Sequence, residues 1–297
     1  MQRKFVQSLM SFPICLAYFG TVQAATFSVD NLNDSGAGTL RAAILSANAN
    51  AGPDTIQFNA GLNGTIVLSS DLPQLTDDVE ITGPGAEIIA VNGQSLYRPF
   101  FVSSGTTVTL TGLMIANGQS SLIGSGGNGG GIFSEGNLTV TDCVLSNNHA
   151  EFDGGAINND VDGVLLVSQS TLFSNTTGEG GVGAGIYNNR GTVNIIESTF
   201  AENTAGYGGA IYNQGAVPIV GSTLTANRAD ATDAFGGAIE NVGTLTVRNS
   251  TLSANFANIE GGGIDNYLGE ATVEFSTLTE NSSIGGGGIS NFVEDPL

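Results

Sequence analysis

Apolar and polar positions alternate along most of this chain in short runs, such as Leu138-Thr139-Val140 and Leu245-Thr246-Val247, closed by Gly, Asn or Asp. A period of two is the pattern of a strand with one buried face, and the closing residues are those that turns favour. Helical spacing is convincing once. Leu40, Ala43, Ile44 and Ala47 share a face at i, i+3, i+4 and i+7, which predicts a helix over 39–50. Asp34 and Ser35 stand ahead of it as capping residues.

The runs belong to a repeat, and a repeat decides the fold before any single element does. One phrase is Gly-Gly-Ala-Ile-x-Asn. Its Ile falls at 132, 157, 186, 211, 239, 264 and 289, with spacings of 25, 29, 25, 28, 25 and 25. Two residues after each Ile come Ser134, Asn159, Asn188, Asn213, Asn241, Asn266 and Asn291. A second phrase, Ser-Thr-Leu-x-x-Asn, ends at Asn175, Asn203, Asn227, Asn255 and Asn281, with weaker copies ending at Asn117 and Asn148. A third apolar stretch separates the two phrases, so each unit holds three strand-like pieces.

A unit of about 26 residues cannot bury its own apolar side, but stacked units can. If each unit makes one turn of a coil, its strands pair with those above and below at about 4.8 Å. Ile then stacks on Ile and Leu on Leu. The asparagines form inward structural ladders, since a lone buried amide would cost about 1–3 kcal/mol whereas a column can bond to itself. The Gly pair before each Ile suits a corner with no room for a side chain or with positive φ. Extra residues fall between a ladder Asn and the next Gly pair, as in 227–236 and 175–183. Insertions therefore project from one corner, where repeat proteins often bind. The fold expected is all-β: a single-stranded, right-handed parallel β-helix, the handedness following from the general chirality of parallel connections.

The ends differ from the middle. Strand pieces at 65–68, 79–82, 88–91, 100–102 and 108–110 suggest earlier, less regular coils, and the helix is suited to cover an exposed end of the bore. This gives an N-terminal cap with first coils over 25–110, regular coils over 111–291, and a tail, 292–297, too short for a second cap. Three readings of that end stay open: a truncated product, an open end that meets another chain, or a tail that folds back. At the other extreme, Arg3 and Lys4, an apolar run over 9–19 and Val22-Gln23-Ala24 have the layout of a secretory signal peptide over 1–24. The run is too short to span a bilayer.

Composition then narrows the chemistry. The 297 residues include 44 Gly and no Trp, with 7 basic residues against 27 acidic ones. Lys4 is the sole lysine, so five arginines remain after cleavage. Such a surface repels nucleic acid and anionic lipid. Cys143 takes the place of the Ser in the second phrase and is expected to be a small core residue. His149 has no catalytic partner in the sequence.

The two phrases resemble the paired signatures of the polymorphic outer membrane protein repeat of chlamydial surface proteins: Gly-Gly-Ala-Ile, three times unchanged, and Phe-x-x-Asn, met by Phe200-Ala-Glu-Asn203. Most copies here carry Leu in place of that Phe. The segment 33–44 is similar to the opening of many bacterial right-handed β-helix proteins of the pectate-lyase-like kind. The resemblance implies an exported protein, extracellular or associated with the cell surface or outer membrane. It would be a non-catalytic scaffold or adhesin whose partners are cell-surface glycans or proteins.

The same fold hosts polysaccharide lyases and hydrolases, so a carbohydrate-active enzyme is the alternative. A lyase needs a basic residue beside carboxylate-held calcium. A hydrolase needs carboxylates on adjacent coils facing one groove. Arg190, Arg228 and Arg248 show no obvious acidic partner one coil away. Asp160 and Asp162, in Asp-x-Asp-Gly, are weak calcium candidates that turn chemistry explains better. No catalytic residue and no cofactor is expected beyond that calcium.

Overall fold

The computed structural model describes residues 23–120 and 126–292. The expected signal peptide lies outside them except for its last two residues, and so does most of the 292–297 tail. Among the described residues the chain winds into a parallel β-solenoid of about ten coils. One sheet of ten strands runs from Thr26–Val29 to Glu270–Glu274, and one of nine from Gly64–Val67 to Thr277–Thr279. One of eight begins at Phe100–Val102 and ends at Ile289–Phe292.

A fourth sheet has five strands of two residues each, from His149–Ala150 to Phe256–Ala257. The regular coils thus hold four strands where three were expected. Two residues are too few to print an alternating pattern on the sequence.

Pairing is parallel and in register with the repeat. Leu138 stands on Leu165 and Leu145 on Leu172, while Ile157 lies between Ile132 and Ile186. The inward residues fuse into one apolar cluster from Val29 to Ile264. The first coils join it without a break, because Val79–Thr82 pairs with Thr107–Thr111, which pairs with Asn137–Thr141. The strand Asp54–Phe58 in these coils was not anticipated.

The helix Leu40–Ala49 buries Leu40, Ala43, Ile44 and Ala47 and packs on the first two strands of the ten-stranded sheet. Its N-cap is Thr39, whose hydroxyl accepts from the Ala42 N–H. Asp34 and Ser35 do not cap it. Asp34 instead accepts from Ser69 and pairs with Arg41 at 2.7 Å; against the opposing effect of burial, the Ser69 bond and then Arg41 hold its carboxyl below the usual range.

Each coil bends at single residues in the left-handed region. Glu197 (φ 49°) and Glu202 (φ 55°) bracket the strand Thr199–Ala201. These bends turn the next side chain inward, and the inward residues are Ser198 and Asn203. The Asn203 amide donates to Asn227 Oδ1 at 2.9 Å and to the Leu172 carbonyl at 3.0 Å. Its own Oδ1 accepts from the Asn175 backbone and side chain at 3.1 and 2.9 Å. The same bonds join Asn148, Asn175, Asn203, Asn227, Asn255 and Asn281 in series. A second series joins Asn159, Asn188, Asn213, Asn241, Asn266 and Asn291.

Asn117 is not a rung. Gly118, whose N–H donates to Asn148 Oδ1, stands at that level. Asn117 is instead a bend residue at φ 50°, one position off because the weak first copy of the phrase places its Asn early.

The Gly pair is required twice over. Gly208 sits at φ 56°, and a Cβ on Gly209 would lie 2.3 Å from the Gly237 carbonyl of the next coil. Any side chain there would hold two coils apart.

Candidate binding cleft

In the phrase Gly-Gly-Ala-Ile-x-Asn, Ile and Asn point into the bore, so the x residue between them points outward. Register stacks these x residues into a column: Asn158, Tyr187, Tyr212, Glu240, Asp265 and Ser290. Glu240 and Asp265 therefore face outward from adjacent coils. They form the floor of a cleft of about 450 Å³.

The insertion corner supplies one wall, where Tyr207 and Phe235, each just before a Gly pair, stack at 6.3 Å. The opposite wall is Tyr267 on Phe292, at 5.2 Å and 13° between planes. Asp233 and Glu260 complete the lining. One coil step of about 4.8 Å separates the two floor residues, Glu240 and Asp265.

The electrostatics are one-sided. Glu240 is only 7 % exposed, and its Oε2 has no hydrogen-bond partner. Burial, and then the Asp265 carboxyl one coil on, push Glu240 up to about 8. Asp265 is itself raised by burial, in part offset by its bond with Ser290. The one hydroxyl hydrogen of Ser290 is shared between that carboxyl and Glu260, whose Oε2 lies 2.6 Å from Ser290 Oγ. Tyr207 donates to Asp233 at 2.6 Å, which with burial pushes the phenol up to about 12. Among the described residues no Arg, Lys or His lines the cleft.

A carboxyl whose pKa rises on folding makes stability fall as pH rises. Between the unfolded value of about 4.5 and the folded value of about 8 the native state holds a proton that the unfolded state has lost. Stability from Glu240 is thus full below the lower value and gone above the upper one. Urea unfolding at pH 5 and pH 9 should show this as a loss of roughly 2–4 kcal/mol that Glu240→Gln removes. An equal loss in the variant would assign the effect to other carboxyls.

The other sequence candidates lie elsewhere. Asp160 accepts from the Gly163 N–H through its carbonyl and from Asn189 through Oδ1, and Asp162 occupies the left-handed position of that turn at φ 61°. Among the described residues no group of three or more His, Cys, Asp or Glu is arranged to hold a metal ion. His149 bonds Thr176 at 2.8 Å. Cys143 is buried in the bore, which pushes its thiol up to about 11. An unreactive core residue results.

Arg248 does have a partner one coil away. Its register neighbour Glu274 lies at 2.6 Å. Both are largely exposed, so the pair adds little stability. Arg228 lies over the ring of Phe256, also its register neighbour, at 4.3 Å. Neither arginine reaches the cleft.

Sequence reasoning missed the cleft because it treated x as the variable position of the phrase. Aligning the repeats on Ile and reading down x would have shown two acids on consecutive coils.

No curated protein sequence matches the chain. Residues 197–214 match the family described as the Chlamydia polymorphic membrane protein (Chlamydia_PMP) repeat. That stretch runs from the bend at Glu197 through the strands Thr199–Ala201 and Ile211–Asn213, and so takes in both phrases. One coil of the parallel β-solenoid is thus similar, over residues 197–214, to the polymorphic membrane protein repeat.

Proposed function

We propose that this protein is an exported, surface-displayed or secreted β-solenoid that binds cell-surface glycans or proteins and performs no catalysis. The observation that carries the reading is the cleft of Glu240 and Asp265, concave, aromatic-walled and built across coils of a rigid stack. The repeat match at 197–214 supports surface display and adhesive function. The basic leader at 1–24 supports export.

One observation favours the enzyme reading. Glu240 and Asp265 meet the requirement for two carboxylates on adjacent coils in one groove, and the one with the raised pKa suits a general acid. A lyase is less well served, because among the described residues no Arg or Lys stands in the cleft to act as base.

The deciding experiment incubates residues 25–297 with a panel of polysaccharides in the presence of calcium. Reducing and unsaturated ends are followed alongside retention of the protein on the same polymers. Retention without new ends is expected. Turnover that disappears in Glu240→Gln would overturn the binding reading in favour of hydrolysis.

A further inference from the structure

The cleft gathers four carboxyl side chains and two stacked aromatic pairs, and among the described residues no cation lines it. Glu240 is more than nine-tenths buried, lines the cavity and leaves Oε2 unpartnered. A buried acceptor without a donor is rare in folded proteins and calls for an explanation. Each polar side chain that lines the cleft with it is an acid or a phenol. Tyr212 and Asp265 flank it along the floor, and Tyr207, Asp233 and Glu260 stand on the insertion side. The aromatic faces carry negative quadrupoles that attract cations, most strongly where water is excluded. What is missing is one positive, hydrogen-bonding group on an apolar body.

We propose that the cleft binds an organic ammonium group, a protonated amine that donates to Glu240 while its carbon frame lies between the Tyr207–Phe235 and Tyr267–Phe292 walls. This rests on the cleft being the binding site of the protein, and it names the chemistry of the ligand. Free polyamines and de-N-acetylated amino-sugar polymers both carry such a group.

Binding selects the ionised form of Glu240. With its pKa at about 8 in the free protein, binding takes up the carboxylate and releases a proton near neutral pH. Affinity then rises with pH and levels off above 8. The primary amines of spermidine, like a lysine amine, stay protonated across this range, so the rise and the proton release are read with spermidine and belong there to the protein.

The test is calorimetric titration of residues 25–297 with spermidine, with the glucosamine trimer and with its N-acetylated form. Glu240→Gln, Tyr267→Ala and, as a surface control, Glu197→Gln are titrated in parallel. Expected is binding of spermidine or the free-amine trimer, weakened at least tenfold by Glu240→Gln and less by Tyr267→Ala. Glu197→Gln should leave it unchanged. Buffer-dependent heats at pH 7 should report the released proton in the parent protein and not in Glu240→Gln. Whichever free amine binds more tightly identifies the source.

Equal affinity in Glu240→Gln would overturn the proposal by showing attraction to the acidic surface as a whole. Equal binding of the N-acetylated trimer would overturn the cation and leave the cleft a binding site. If none of the three probes binds and the protein is also not retained on any polysaccharide, both readings fall.

Discussion

Alanine at Asn203 is expected to lower the unfolding free energy by about 4 kcal/mol, far more than a typical substitution. The amide is fully buried and serves four bonds. Its removal leaves the Asn175 backbone N–H and one Asn175 side-chain hydrogen without acceptors, each at about 1–3 kcal/mol. The Leu172 carbonyl loses a donor as well. Asn291→Ala, at an exposed rung that receives one bond from Asn266, should cost less than about 1 kcal/mol.

Urea unfolding measures the difference. A stack of near-independent coils need not unfold in one step, so hydrogen exchange should accompany it. The amides around Asn175 should lose protection before those of the first coils. A loss below about 1 kcal/mol at Asn203 would mean that water enters the column and replaces the amide.

Phe200→Ala should be nearly as damaging, at about 3–5 kcal/mol. Phe200 is fully buried and is the one aromatic in a column otherwise made of Ile66, Val91, Ile115, Leu145, Leu172, Leu224, Leu252 and Leu278. The extra volume is accommodated at a specific place. Both neighbouring copies that flank this coil, at Ala156 and Ala210, have Ala before Ile, whereas this coil has Gly185, and a Cβ there would come within 3.0 Å of the Phe200 ring. Gly185→Ala alone should therefore overpack the bore and destabilise by about 1–3 kcal/mol. Phe200→Leu alone should leave a gap. The double variant restores the pairing of the neighbouring coils and should lose less than the sum of the two. Additive losses in a double-mutant cycle would show that the ring and the glycine do not share their space.

The coil and its period were legible because every inward position repeats. Ile239 and Ile264 are identical since they occupy the same place in the bore, and the Asn phrases recur for the same reason. Thr39 was missed as cap because it had been counted into the helix. The two-residue strands were missed because they are shorter than the pattern used to find strands. Asn117 was misplaced by trusting a degenerate phrase over the register.

The cleft was legible only in principle. Glu240 and Asp265 lie 25 residues apart, and only stacking makes them neighbours. Nothing local marks them as acting together. Arg248 and Glu274 escaped notice for the same reason.

The four sheets share one direction of bonding. Every strand lies across the axis, so the hydrogen bonds between coils run along it. A pull spread over a whole coil loads all those bonds at once. A pull delivered through one strand of chain meets them singly, as in peeling tape. The rod is then strong under distributed tension and yields stepwise under a point load, each step freeing one coil. A coil of about 26 residues releases roughly 90 Å of extended chain. Force on such a molecule would be met by paying out length in even portions while the remaining coils, and any cleft built on them, keep their shape.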